Sequence, residues 1–231
     1  MTGIKAILLD VNGTLYSTKE ALEPVFVDLG LDPSLVELFW ESTLKDAFAT
    51  QMAGHFQPLR EFASHHLYKL MLKAGDPMPN VSEAVDKVMT ALTAAEPFAD
   101  VGPGLKALQA KGYEINALTN GSAALAKAVI TRSGFPERKL GALMDINMAC
   151  AWKPAAASYQ WAVEKLDLQP YEVLMVASHA WDVFAAMREG LQGAYIQRDD
   201  IEHWPGYIKI TPRYSVRSLE ELAEKLPELE D

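Results

Sequence analysis

The sequence is short of cysteine, of basic charge and of long apolar runs, and each shortage excludes a class of protein. Cys150 is the only cysteine among 231 residues, so no disulfide can form within the chain. The 31 acidic residues outnumber the 21 lysines and arginines, and the net charge of −10 offers no basic stripe to nucleic-acid phosphates. No run approaches the roughly 20 apolar residues of a membrane span. We therefore expect neither a nucleic-acid nor a membrane partner.

What is present is typical of a compact globular protein. Apolar residues make up 49% and charged residues 23% of a chain long enough for one domain with an insertion or for two small domains. The first apolar run ends at Asp10, which is too early for a signal peptide, and we expect a cytoplasmic protein. Because no base stands near Cys150, its apolar neighbours predict a small buried core residue rather than a catalytic thiol.

The first apolar run, residues 4–9, ends abruptly in the polar residues Asp10 and Asn12 and in Gly13. Such a run is typical of a strand buried on both faces of a parallel sheet. Asp10 would then lie at the carboxyl end of the strand, where open α/β sheets bind their ligands. On this motif alone, an ordinary polar turn after a strand fits equally well.

Three later stretches repeat this pattern or add charge to it. The run Tyr113–Leu118 ends in Thr119 and Asn120, and the run Val173–Ala177 ends in a polar stretch that includes Asp182. Between these runs, Lys153 is followed by a proline. Strand-like and helix-like segments alternate from residue 105 onwards, which predicts a parallel sheet with strands over Tyr113–Leu118, Leu143–Ala149, Val173–Ala177 and, last, Gly193–Ile196. An acidic helix over Ser218–Leu226 is expected as a solvated outer face.

Residues 18–95 show helical periodicity and no strand-like alternation. Apolar spacings of three and four predict helices over Glu20–Leu29, Pro33–Met52, Leu59–Lys73 and Val81–Ala94. Asn80 can cap the last of these. Because about eighty residues are too many for one connection, we expect an all-helical cap domain, 18–95, inserted into a core formed by 1–17 and 96–231.

In this order and spacing, the motifs resemble the haloacid dehalogenase-like hydrolase superfamily, and more narrowly its 2-haloacid dehalogenase branch. The resemblance implies a Rossmann-like α/β core with an inserted helical cap, and a small anionic substrate. It also implies that Asp10 is a nucleophile that forms a covalent ester, that Lys153 keeps Asp10 ionised, and that Asp182 positions Lys153. With Thr14, these are the catalytic residues. The residues expected to bind substrate are Asn12, Lys45, Thr119, Asn120, Tyr159, Ser178, His179 and Trp181.

Two departures separate the chain from the phosphatases of the superfamily. Those enzymes carry an acid where this chain has Asn12, and a second acid where it has Ser178. Asn12 cannot act as the general acid for a leaving alcohol, and losing a carboxylate weakens a magnesium site. A halide leaving group needs neither. We therefore expect a hydrolase of carbon–halogen bonds with no metal and no cofactor, and a metal-dependent phosphatase is the alternative.

A third departure concerns the cation that receives the substrate. The dehalogenase branch uses a cap arginine where this chain has Glu41, which would repel a carboxylate. Lys45, one helical turn further on, and Arg60 are the candidate replacements. Because of Glu41, a second alternative stays open, in which the protein keeps the fold and binds a small anion but has lost catalysis. His179 can orient or activate water, or serve only a structural role. A homodimer is left open.

Overall fold

The computed structural model describes residues 3–200 and 203–229, and its centre is a six-stranded parallel sheet. The strands run in the spatial order β3-β2-β1-β4-β5-β6, so β1 lies inside the sheet between β2 and β4. This arrangement confirms the predicted Rossmann-like α/β class. The strands are β1 (Ala6–Leu9), β2 (Glu114–Thr119), β3 (Leu140–Asp145), β4 (Val173–Ala177), β5 (Gln192–Ile196) and β6 (Tyr214–Val216).

The apolar run of β1 is continuous because both faces of the strand are covered. Ile7 and Leu9 point into one hydrophobic cluster, and Leu8 points into a second cluster on the other side of the sheet. All three side chains are completely buried. Alternate residues of a strand face opposite sides, so helices on both faces require an apolar residue at every position.

Between β1 and β2 the chain forms five α-helices, and the first four of them pack against one another. Ser17 and Asn80 start the first and the fourth, each accepting the backbone N–H of the residue three positions on. This is the expected all-helical insertion, whereas the domain bounds 18–95, 1–17 and 96–231 stay a prediction. In the described part of the chain, no helix has the length and apolarity needed to cross a bilayer. The four helices are α1 (Thr18–Asp28), α2 (Val36–Met52), α3 (Leu59–Lys73) and α4 (Val81–Thr93).

The remaining helices flank the sheet or join its strands. The helix α10 packs against α5, with Leu219, Leu222 and Ala223 buried in the core. The predicted acidic helix is thus amphipathic, with its apolar side buried and with Glu220 and Glu224 on the exposed outer face. These helices are α5 (Val101–Ala110), α6 (Ala123–Arg132), α7 (Ile146–Ala149), α8 (Ala156–Leu166), α9 (Ala180–Arg188) and α10 (Leu219–Lys225).

Three further predictions about the core are wrong. The expected strand over Leu143–Ala149 stops at Asp145, whose side chain accepts the backbone N–H groups of residues 147 and 148 and starts the short helix α7. Cys150 ends that helix in the left-handed region, with φ of 50°, and is exposed rather than buried. In addition, Gly193–Ile196 is not the last strand, because the three-residue β6 pairs with β5 beyond it.

Candidate active site

The polar residues after β1, β2 and β4 meet at one edge of the sheet, because parallel strands all end on the same side. Asp10 follows β1 directly, Thr119 ends β2, and Ser178 follows β4. The other two charged residues arrive differently. Lys153 comes from the loop between α7 and α8, and Asp182 from the first turn of α9, so neither is itself a strand end.

Asp10 is buried, with only 4% of its surface exposed, and its carboxylate contacts three side chains. Lys153 Nζ lies 2.9 Å from Oδ1. The Thr14 hydroxyl donates to Oδ2 at 2.7 Å, and His179 Nδ1 lies 3.1 Å from the same oxygen. The structure thus brings the expected Asp10, Thr14 and Lys153 into direct contact and adds His179.

Behind Asp10, Lys153 bridges two buried carboxylates. Its Nζ is 2.5 Å from Asp182 Oδ2, and both side chains are completely buried. The hydroxyl of the buried Tyr159 donates to Asp182 Oδ1 at 2.6 Å, so Tyr159 holds the acid that holds the lysine. Tyr159 does not line the open cleft described below. Its contact is with the buried pair of Asp182 and Lys153 rather than with the cleft.

The charges of this cluster shift one another's ionisation. Burial alone would raise the pKa of Asp10, but the Lys153 charge and the His179 hydrogen bond outweigh burial and hold that pKa well below its ordinary value. The pKa of Lys153 is raised because the two carboxylates outweigh its burial. Burial raises the pKa of Asp182, and the charge of Lys153 opposes that rise. The cluster therefore keeps Asp10 as a desolvated anion beside a lysine that stays protonated.

Asn120 and Thr119 bind backbone groups rather than pointing freely at a substrate. The Asn120 amide donates to the Lys153 carbonyl at 3.1 Å and accepts the Lys153 N–H at 3.0 Å, which fixes the lysine backbone. Thr119 Oγ1 accepts the N–H of Gly121 at 2.9 Å. The sequence motif suggested a contact with substrate for both residues, and the structure gives both a supporting contact.

Asn12 is oriented by a residue that the motif reading missed. The hydroxyl of the buried Tyr16 donates to Asn12 Oδ1 at 2.8 Å. The amide nitrogen of Asn12 is buried and has no hydrogen-bond partner in the described residues. The sequence gives no signal for this contact, because a tyrosine four residues after Asn12 looks the same as an ordinary core aromatic residue.

His179 forms the boundary between this buried cluster and the surface. Its ring stacks on Trp181 with centroids 5.3 Å apart, and its side chain is 27% exposed. The ring lies against Gly13, where an added Cβ would come within 2.9 Å of His179 Cε1. Gly13 also has a φ of 76°, a conformation that favours glycine. Glycine at position 13 thus allows His179 to reach Asp10.

An open cleft of about 830 Å³ lies beside His179 and Trp181. Helix α2 forms one wall of the cleft, and the loop around residues 203–207 forms another. The sequence does not predict the second wall, because this loop has no hydrophobic periodicity. Aromatic side chains dominate the lining. They are Trp40, Phe48, Trp181, Tyr195 and Tyr207.

Lys45 and Glu41 both line this cleft, one helical turn apart, as their spacing predicts. The Lys45 side chain is 73% exposed and its Nζ lies 3.2 Å from Asp46 Oδ1. Glu41 pairs with no cation in the described part of the chain. Arg60 is excluded as the replacement cation in this arrangement, because it lies outside the cleft lining and pairs with Asp86 at 2.7 Å.

The described residues do not form a magnesium site. No group of three or more acids, histidines or cysteines in that part of the chain is arranged so that it could hold a metal ion. Asn12 already accepts from Tyr16, Ser178 donates to the Gly13 carbonyl, and Asp10 is surrounded by hydrogen-bond donors. Magnesium requires several oxygen ligands in octahedral geometry, and this donor set does not supply them.

Comparison with known families agrees with this geometry. Residues 4–190 match the family model described as haloacid dehalogenase-like hydrolase, and the chain belongs to that family of hydrolases. The match covers both the strand-end cluster and the helical insertion.

Individual relatives lie in the dehalogenase branch. The chain is 28% identical to haloacetate dehalogenase H-2 of Moraxella sp. (strain B) over 207 residues, covering 86% of this chain and 88% of that protein. It is 25% identical to (S)-2-haloacid dehalogenase 1 of Pseudomonas sp. (strain CBS-3) over 227 residues, covering 98% of each. The structure of the L-2-haloacid dehalogenase of Xanthobacter autotrophicus with chloropropionic acid covalently bound has the same fold, with a TM-score of 0.83, 20% identity, and 96% and 97% of the two chains covered.

Proposed function

We propose that the protein hydrolyses the carbon–halogen bond of a small 2-haloacid through an ester on Asp10, without a metal ion. The observation that carries this proposal is a buried, ionised Asp10 that touches three hydrogen-bonding side chains and no second acid. An anion removed from water is a stronger nucleophile than a solvated one. The site is therefore suited to attack carbon, and Asn12 stands where the phosphatases carry the carboxylic acid that protonates a leaving alcohol.

In the first step, an electron pair of the Asp10 carboxylate forms a bond to the substrate carbon. The carbon–halogen bond breaks, and the halide leaves with the electron pair of that bond. In the second step, water attacks Cγ of Asp10 and releases the hydroxy acid. Lys153 keeps Asp10 ionised for the first step, while Asp182 and Tyr159 hold Lys153 in place.

The named relatives support a haloacid as the substrate, and the charges of the cleft limit how it can bind. Of the two lysines that line the cleft, Lys19 pairs with Glu37 at 2.9 Å and Lys45 with Asp46 at 3.2 Å. An arriving carboxylate would have to compete with an existing acidic partner for either one. We assign Lys45 as the cation that receives it, and Glu41 weakens that site.

Isotope transfer tests the proposal directly. One turnover of chloroacetate or 2-chloropropionate with excess enzyme in oxygen-18 water should place the label in Asp10 and leave the product unlabelled. Asp10→Asn, which is nearly isosteric, should abolish halide release and keep the fold. Label that appears directly in the product would mean that water attacks the substrate itself, and the proposal would fall.

A metal test separates this proposal from a phosphatase of the same family. We expect halide release to survive EDTA and to gain nothing from added magnesium, because Asn12 and Ser178 supply no carboxylate. Hydrolysis of a phosphate ester only in the presence of magnesium would instead support the phosphatase. A protein that binds 2-chloropropionate and never releases halide would be the non-catalytic anion binder.

A further inference from the structure

The two carboxylate oxygens of Asp10 have different surroundings. Oδ2 is contacted by both the Thr14 hydroxyl and His179 Nδ1, whereas Lys153 is the only side chain among the described residues that contacts Oδ1. Each carboxylate oxygen has about two lone pairs for hydrogen bonds. Both lone pairs of Oδ2 are in use, and one lone pair of Oδ1 is free. Oδ1 is therefore the oxygen able to attack carbon, and Oδ2 becomes the carbonyl oxygen of the resulting ester.

The direction of the Thr14 hydrogen bond is fixed by its neighbour. Thr14 Oγ1 accepts the backbone N–H of Ser178 at 2.9 Å, and the Ser178 hydroxyl donates to the Gly13 carbonyl at 3.0 Å. Thr14 Oγ1 also lies 3.1 Å from Ser178 Oγ, but an ionised carboxylate can only accept, so the shorter 2.7 Å contact with Oδ2 requires the Thr14 proton. That proton points to Asp10 Oδ2, so Thr14 is a donor to this oxygen before and after an ester forms.

His179 is a second donor to the same oxygen. Since Asp10 is ionised, the 3.1 Å contact is attractive only when Nδ1 carries a proton. Stacking on Trp181 and contact with Gly13 hold the ring in this orientation. The charged groups that act on the imidazole are Asp10, Asp182 and Lys153.

We propose that Thr14 and His179 form an oxyanion hole for hydrolysis of the Asp10 ester. This inference rests on the proposed function. When water adds to Cγ, the π electrons of the carbonyl move onto Oδ2, where two donors already lie at 2.7 and 3.1 Å. These distances suit stabilisation of a developing oxyanion.

The adduct then collapses. The carbonyl re-forms, the bond from Cγ to Oδ1 breaks, and Oδ1 departs within the hydroxy acid. One proton of the attacking water goes to Oδ1 and the other to solvent. The carboxylate that is restored contains Oδ2 and the oxygen of water, which is the isotope pattern expected above.

The test replaces His179 by a residue that has an aromatic ring but no N–H to donate. His179→Phe preserves stacking and covers Gly13 but cannot donate, whereas His179→Asn keeps an N–H without the charge. We expect His179→Phe to slow ester hydrolysis by about 10²–10³-fold. With chloroacetate, halide should appear as a burst of about one per enzyme, and intact-protein mass spectrometry should find the carboxymethyl ester on Asp10. His179→Asn should recover part of the rate, and His65→Phe, on the exposed face of α3, is the matched control.

The outcomes separate two failures. If the wild-type protein releases halide and His179→Phe never accumulates an ester, the oxyanion hole is wrong and the proposed function stands. Equal slowing of the burst and of steady-state turnover would likewise overturn it, because a merely structural role slows both steps together. If the wild-type protein neither releases halide nor forms an ester, the proposed function falls and this inference falls with it.

Discussion

The ammonium group of Lys153 lies 2.9 Å from the carboxylate of Asp10, and no solvent separates the two charges, because both side chains are buried. Asp182 contacts the same ammonium group, so Lys153 lies between two buried carboxylates. Ion pairs out of water stabilise a protein only while every charge keeps its partner. We therefore expect both the proposed activity and the stability of the fold to depend on Lys153.

Replacing Lys153 should damage stability as well as activity. Lys153→Met keeps much of the side-chain volume but leaves two buried carboxylates facing each other, which should cost about 3–5 kcal/mol of unfolding free energy. Urea denaturation near neutral pH measures the change. Lys127→Met, which removes a half-exposed lysine from its pair with Glu137, is the control and should cost less than about 1 kcal/mol. Similar losses for both variants would contradict the buried-pair account.

The contact between His179 and Asp10 predicts a pH-dependent contribution to stability. Burial lowers the pKa of His179, but the hydrogen bond and charge of Asp10 outweigh burial and raise it above 6.5. The unfolded pKa is the lower one, so the contribution is complete below about pH 6.5 and disappears as pH rises through the folded pKa. His179→Phe should therefore lose more stability at about pH 5.5 than at about pH 9. In an Asp10→Asn background the two losses should become similar, and equal losses with Asp10 present would refute the linkage.

Gly13 can be tested against a glycine of similar backbone conformation. Gly13→Ala adds a Cβ that would lie 2.9 Å from His179, whereas Gly30, with φ of 69°, has nothing within 4 Å of an added Cβ. Both substitutions strain the backbone, at about 1 kcal/mol or more each. Only Gly13→Ala should also displace His179 and slow turnover. An unchanged rate of halide release in Gly13→Ala would show that the ring position is not set by this glycine.

Exchanging charge at the cleft tests the proposed substrate. Glu41→Arg should lower the KM for 2-chloropropionate, because it removes a repulsion and adds a guanidinium that can hold a carboxylate in two hydrogen bonds. Lys45→Ala should raise the KM only a few-fold, since Lys45 is 73% exposed and screened by solvent. Steady-state kinetics on both variants decides the matter. A harmful Glu41→Arg together with a silent Lys45→Ala would mean that Glu41 binds a neutral or cationic ligand.

The meeting of Asp10, Lys153 and Asp182 could be predicted because it depends on long-range order that the sequence displays. Apolar runs mark parallel strands, and such strands place their ends at one edge. The role of Asn120 could not be predicted in the same way. An amide after a strand can face a ligand or the backbone, and the pattern does not reveal the hydrogen bonds of Asn120 to both backbone groups of Lys153. A contact of Asn120 with substrate stays a prediction.

The local errors have equally specific causes. The stretch Leu143–Ala149 is apolar enough for a strand, but the Asp145 side chain offers a helix cap that outweighs this pattern. The helix turns Cys150 outward in spite of its apolar neighbours. The strand β6 is three residues long, which is too short to show alternation against its polar surroundings. In each case a few local contacts decide the structure, and composition cannot reveal them.

Trp152, the residue before Lys153, joins the helical insertion to the sheet. Its indole N–H donates to the Gln57 carbonyl at 2.7 Å, its backbone N–H donates to the Gln51 side chain at 3.0 Å, and its buried ring packs edge-on against Phe62. A hinge motion that swung α2 and α3 off the sheet would have to extract this ring into water, at a cost of several kcal/mol. It would also pull on the peptide that carries Lys153. We therefore expect substrate to reach the site through the cleft beside residues 203–207, while α2 and α3 stay packed on the sheet.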